Sequence, residues 1–172
     1  MTEEGLNIGK CHPEEIRQIA LLEREAFTCP WTEEMFRQEA LSPLSHMLVA
    51  KSGGRGIEQA VLGYLIFWLV GDEFHLHKIA VKRDLRRRGI ASALLAKAFT
   101  YASQYHCRRA TLEVRRSNVP ALLFYDRFGF AVEGIRHGYY DDTGEDALIL
   151  WADLPDSILR DQTCPHGGIQ VA

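Results

Sequence analysis

Residues 83–95 read RDLRRRGIASALL. Three consecutive arginines meet a glycine, and an apolar helical pattern starts at the next residue. A helix N-terminus has four unpaired N–H groups and a partial positive charge, so it already favours an anion. Arginines added there raise three readings: a grip on nucleic acid, a solvated basic turn, or a cradle for the phosphates of a small ligand. Gly89 would let the backbone approach such a ligand with no Cβ in the way. The stretch is neither a Walker-type P-loop nor a GxGxxG fingerprint, so its spacing alone leaves the choice open.

The rest of the chain narrows it. The 172 residues carry a net charge of -3, whereas a dedicated nucleic-acid binder has a basic excess. Residues 82–88, KRDLRRR, hold five of the positive charges against one negative. Basicity this local suits a small polyanion better than a long one, so no DNA partner is expected. The start, MTEEGLNIGK, lacks the basic and apolar regions of a signal peptide. The longest apolar run, AVLGYLIFWLVG at 60–71, is too short to span a bilayer and reads as a buried strand, so no membrane partner is expected either. Cys11, Cys29, Cys107 and Cys164 form no CxxC pair, which fits free thiols in a reducing, cytoplasmic setting.

Periodicity supplies the elements. HPEEIRQIALLEREAF (12–27) repeats apolar residues at helical spacing, with Pro13 in the first turn. Thr32 is placed to cap a second helix, TEEMFRQEAL. SPLSHMLVAK leads into a strand, and SGGRG (52–56) reads as a turn. AVLGYLIFWLV and EFHLHKIAV predict an antiparallel hairpin across VGDE. After the arginines, GIASALLAKAFTYASQ is an amphipathic helix. RRATLEVRR is a strand. SNVPALLFYDRFGF is a helix capped by Asn118 and ended by Gly129 at C′. FAVEGIRHGYY and EDALILWADL are closing strands joined by the turn DDTG. The expected architecture is α/β (α+β): a mixed central sheet of about six to seven strands flanked by about four helices. Residues 1–154 are expected to form one domain and 155–172 a loose tail.

RRRGIA, after the strand HKIAV and before a long helix, resembles the phosphate-binding signature of the GNAT family of N-acetyltransferases. Arg86, Gly89 and Ala91 fill the signature positions, Ala91 in the place of the second glycine. The resemblance spans about residues 6–154. The ordered segments CPWTEEMF, LHKIAV, TLEVRRSN, ALLFYDRFGF and GYYDDTGEDALIL are similar to the branch that acetylates an N-terminal alanine of a ribosomal protein. The resemblance implies acetyl-CoA as co-substrate and the N-terminus of a protein, a ribosomal protein by type, as acceptor. It places cofactor contacts at Ile79, Ala80 and Val81, at Arg86, Arg87, Arg88, Gly89, Ile90, Ala91 and Ser92, and at Asn118 and Tyr125.

Acetyl transfer needs a neutral amine and a proton for the leaving thiolate. A carboxylate in a partly apolar cleft can serve as base, and Glu113 lies in the strand TLEVRR. On the residues alone its commoner fate is pairing with an arginine on a strand face. The resemblance implies that Glu113 is the general base. Tyr125 in ALLFYDRFGF is, on the residues alone, a core aromatic. The resemblance implies that it is the general acid. Glu25, Trp31, Tyr139 and Tyr140 fall in the segments that border the peptide groove of the family. His75 and His77 alternate on one strand, but two histidines without a third ligand make no metal site, and no metal is expected. The alternatives are the same cofactor used on a lysine, polyamine or small amine, and a non-catalytic acyl-CoA-binding or ribosome-associated module. The presence of both Glu113 and Tyr125 speaks against the latter.

Overall fold

The structure, a computed structural model, describes residues 5–53 and 59–154. The tail expected at 155–172 lies outside these, as do residues 54–56 of the turn expected at SGGRG. The elements run β1 (Leu6–Lys10), a 3₁₀ turn (Pro13–Glu15), α1 (Ile16–Ala26), α2 (Glu33–Leu41), β2 (Ser45–Ser52), β3 (Val61–Val70) and β4 (Glu73–Val81). A second 3₁₀ turn (Arg83–Leu85), α3 (Ile90–Gln104), β5 (Arg109–Arg115), α4 (Val119–Asp126), β6 (Ala131–Tyr140) and β7 (Glu145–Asp153) follow. The strands form one sheet in the order β1-β2-β3-β4-β5-β7-β6. Every neighbouring pair is antiparallel except β4 and β5.

The expected helices and strands are all present among the described residues. Thr32 caps α2 by accepting from the Met35 N–H at 3.2 Å. β3 and β4 form the predicted hairpin. The strand β1 is an addition. LNIGK is short, contains a glycine and pairs only with β2 at the edge of the sheet, so it has little periodic signal.

The central strands of the sheet are buried on both faces, while the edge strand β6 is largely exposed. Leu94, Leu95, Ala98 and Phe99 of α3 pack with Phe67 and Phe74, whose rings stack at 4.8 Å. On the other face Ile16, Ile19 and Leu22 of α1 and Phe36 of α2 pack on Val49, Tyr64 and Ile66. β3 serves both cores, which is why it reads as a continuous apolar run rather than an alternation.

Two irregularities position the site. β4 bulges at His77: Lys78 opposes Ile66 and Leu76 opposes Phe67, leaving His77 unpaired. β4 and β5 are bonded only from Glu73/Arg109 to Leu76/Leu112. Beyond that pair β4 stays with β3, and β5 stays with β7 to Arg115. The sheet therefore opens along residues 77–81 and 113–115.

Candidate active site

The opening is a cleft of about 610 Å³, a size suited to a cofactor-scale ligand. Its walls are residues 76–81 of β4 and 112–115 of β5. Arg86 and Ala91, α4 with Asn118, the segment Ala26–Cys29, and Tyr140 close it.

At one end lies the arginine loop. Arg87 and Gly89 have positive φ of 62° and 85°. The first helical bond of α3 is Ala93 N–H to the Gly89 carbonyl at 2.9 Å. None of the N–H groups of residues 87–92 donates to any group among the described residues. A Cβ on Gly89 would meet no atom within 4 Å, so the space in front of this donor row is open. The Arg86 side chain turns back and donates from Nε to the Val81 carbonyl at 3.2 Å, joining the loop to the end of β4. A row of unpaired amides at a helix N-terminus, with exposed Arg87 and Arg88 beside it, fits a pyrophosphate. The residues present therefore fit acetyl-CoA.

α4 sets the opposite wall. Asn118 Oδ1 accepts from the Ala121 N–H at 3.2 Å, the predicted cap. At the other end Phe130 N–H donates to the Tyr125 carbonyl at 3.2 Å and Gly129 N–H to Asp126 at 2.9 Å, with Gly129 at φ 80°. This is the double bond of a glycine-ended helix, so Gly129 does sit at C′. The turn fixes Tyr125, which packs edge-on against Phe124 and Phe130. Tyr125 is buried yet lines the cleft, and its hydroxyl has no partner among the described residues. Burial, and then the neighbouring Tyr140, raise its pKa well above the ordinary phenol value.

Glu113 is the first residue of β5 past the last β4–β5 pair. Its Oε1 lies 3.1 Å from an Arg136 guanidinium nitrogen. The arginine pairing that the sequence suggested is present, and the carboxylate still borders the cleft. Tyr139 is pushed up to about 12, first by hydrogen bonding to Glu113 and then by burial. A second bulge, residues 137–139 against Asp146, re-aims β6 here. Gly138 at φ 62° makes it possible, and the Asp146 carboxylate accepts its N–H at 3.0 Å. That bond, ahead of the neighbouring His137 and Arg116 side chains, lowers the Asp146 pKa.

The third wall joins two distant segments. Asp142 in the β6–β7 turn accepts two bonds from Arg115, at 2.7 and 2.8 Å, and one from the Thr28 hydroxyl at 3.3 Å. Arg115 also lies 3.8 Å over the Tyr140 ring. The α1–α2 segment and the β6–β7 hairpin thus meet across the mouth of the cleft.

Of the residues singled out in the sequence, Ile79, Ala80, Val81, Arg86, Ala91, Glu113, Asn118, Tyr125 and Tyr140 share the cleft. Arg87, Arg88, Gly89 and Ser92 belong to the loop and first turn at its end, and Ile90 is turned into the core. Glu25, Trp31 and Tyr139 stand outside the cleft lining. Glu25 is exposed on α1, and Trp31 packs on Phe36. The carboxylate behind this wall is Glu23, fully buried, which sequence reasoning missed because its partners come from three separate elements. His75 bonds Glu73 at 2.8 Å, and His77 packs at a tilt against Trp68, with ring centroids 4.3 Å apart.

A sheet split beside an unpaired helix N-terminus, with a phenol and a carboxylate bordering the gap, defines an acyl-CoA-using transferase. Residues 16–130 match the acetyltransferase (GNAT) family model, and the chain belongs to that family. It is an N-acetyltransferase that uses acetyl-CoA. It is 37% identical over 142 residues to a Bacillus subtilis protein provisionally named ribosomal protein bS18-alanine N-acetyltransferase, covering 82% of this chain and 91% of that one. It is 31% identical to the N-alpha-acetyltransferase RimI of Mycobacterium tuberculosis, over 89% of this chain and 96% of the relative. The crystal structure of the Escherichia coli ribosomal-protein-S18-alanine N-acetyltransferase superimposes with a TM-score of 0.76 at 27% identity, covering 87% and 94%. Among the described residues no helix is long and apolar enough to cross a membrane.

Proposed function

We propose that this N-acetyltransferase acetylates the N-terminal α-amine of a protein, with a small first residue such as alanine and a ribosomal protein as the natural acceptor. The observation that carries the reading is the bridged mouth: the Thr28 segment and the Asp142 hairpin border a groove that leads to Glu113 and Tyr125. A peptide end brings its own backbone to bond such edges, whereas a small amine does not. The names of the relatives support alanine as the first residue.

Bound acetyl-CoA supplies the acetyl thioester. The amides of residues 87–92 would hold its phosphates, and the freed edges of β4 and β5 would align the rest. Glu113, directly or through a water, would take the proton that the neutral α-amine gives up as it attacks the thioester carbonyl. An α-amine has a pKa of roughly 7.7–8.0 against about 10.4 for a lysine, so a single carboxylate matches the α-amine better. Tyr125 keeps its proton throughout the working range and would give it to the departing sulfur as the C–N bond forms and the C–S bond breaks, the proton taken up by Glu113 balancing the one it gives.

The test is a peptide that begins with alanine and contains internal lysines. Tandem mass spectrometry should find one acetyl group, on the first residue, and blocking that N-terminus should abolish the reaction. Acetylation of lysine in the blocked peptide at an undiminished rate would replace this reading with the lysine or polyamine alternative.

A further inference from the structure

One cation lining the cleft has no part in the chemistry above. Lys78 follows the β4 bulge, with its side chain only 13% exposed, and its ammonium lies 2.5 Å from Glu23 Oε1. Glu23 is 0% exposed. It also accepts from the Trp31 N–H at 2.9 Å and from the Tyr64 hydroxyl. The Phe27 and Trp31 rings lie 4.6 and 4.7 Å from the Lys78 nitrogen. The pair is thus ordered from front to back. Glu23 is sealed inside α1, while Lys78 borders the cleft beside Phe27, Thr28 and Cys29.

Position gives this order a consequence. The last bonded β4–β5 pair is Leu76/Leu112, so Glu113 is one step and Lys78 two steps into the opening, on opposite banks. A peptide end led to Glu113 past the Thr28 segment carries its first side chain along the Phe27–Cys29 wall that Lys78 borders. The carboxylate could be satisfied by neutral donors such as Tyr64 and Trp31. A lysine adds a dipole whose positive end faces the substrate. With the Lys78 side chain only 13% exposed, the pair is screened less than an exposed one, and that end repels a cation and attracts an anion.

Given that the substrate is a protein N-terminus, we infer that Lys78, held by Glu23, is a specificity-determining residue. It favours first residues with neutral or acidic side chains over basic ones.

The test compares two peptides that differ only in an Asp or an Asn as first residue, with an Ala-first peptide as reference and no internal lysine. Each is assayed with the wild type, with Lys78→Met, and with Lys78→Met/Glu23→Gln, which leaves no buried charge unpaired. The readout is the ratio of kcat/KM for Asp-first over Asn-first. This ratio is internal to each preparation and insensitive to the folded fraction. It is expected to fall by about three- to tenfold in both variants, and the wild-type ratio to shrink with added salt. A Lys-first peptide should gain relative to Ala-first in both variants. α-Acetylation at an unchanged Asp/Asn ratio in both variants would overturn the inference and leave the N-terminal reading standing. Failure of all three proteins to acetylate any α-amine, the Ala-first peptide included, would overturn the N-terminal reading and this inference with it.

Discussion

Arg115 grips Asp142 with one guanidinium nitrogen at 2.7 and 2.8 Å from the two carboxylate oxygens, and through Asp142 it holds Thr28 of a segment 87 residues earlier in the chain. The pair lies at the mouth of the cleft, remote from the amide row of α3. Asp142→Ala should therefore raise the peptide KM several-fold while leaving acetyl-CoA affinity unchanged. Steady-state kinetics with each substrate varied in turn checks it. Arg115 lowers the Asp142 pKa, chiefly by hydrogen bonding. A carboxylate with a depressed folded pKa contributes fully above its unfolded pKa and loses that contribution as pH falls through the folded one. The clasp is thus intact at neutral pH and opens only in acid, below the ordinary Asp range.

Gly89 tests the amide row. Its φ of 85° is left-handed, and an added Cβ touches nothing in the free chain. Gly89→Ala should cost about 1–2 kcal/mol of stability from backbone strain alone. Gly89→Val should cost more, and its branched side chain enters the space where a phosphate would lie. Calorimetric titration of the folded variants with CoA should show a loss of affinity that grows from Ala to Val. Equal affinities across the series would remove Gly89 from the phosphate site.

Glu23 makes a different demand. Its Lys78, Tyr64 and Trp31 bonds join α1, β3, β4 and the α1–α2 segment. Burial, followed by the Glu23 charge, raises the Tyr64 phenol pKa, so it remains a donor at every working pH. Glu23→Ala strands a largely buried ammonium and should cost about 3–5 kcal/mol. For a chain of this length that is a drop in Tm of roughly 10 °C. Thermal denaturation decides it, and a change within 2 °C would mean that the network relaxes onto water (about 0.5–1 kcal/mol).

What the sequence disclosed and what it hid follow one physical division. Thr32, Asn118 and Gly129 each bond a backbone group three residues away, so their roles can be read locally. The helices and the strands other than β1 declared themselves by period or, for β3, by a continuous apolar run. The His77 bulge and the parting of β4 from β5 are relations between strands, and no periodic pattern encodes them. The Glu23 and Asp142 networks depend on folding to bring their partners together. This is why Glu25, not Glu23, drew attention in the sequence, and why Arg115 passed as one more strand arginine. Glu113 and Tyr125 were drawn out by resemblance, since their local settings read as a surface carboxylate and a core ring.

The proton-transfer roles predict a pH profile. The substrate α-amine titrates at roughly 7.7–8.0, so kcat/KM should climb through that range as the neutral amine accumulates. The fall expected on the alkaline side depends on Tyr125. An ordinary phenol near 10 would begin to lose its proton, and the enzyme its acid, from about pH 9. Tyr125 is buried, and burial raises its pKa. A raised phenol stays protonated to higher pH, so the profile should reach a plateau and hold it through pH 10. Tyr139 does not interfere, because its pKa is pushed up to about 12. Tyr125→Phe should then lower kcat by roughly 10²-fold at every pH, without adding or removing a limb. Glu113→Gln should lower kcat/KM by about 10²–10⁴-fold and leave the CoA affinity intact. An alkaline limb near pH 9–10 in the wild type that vanishes in Tyr125→Phe would show a phenol titrating at its ordinary value, and would sink the argument that burial keeps this acid charged with its proton.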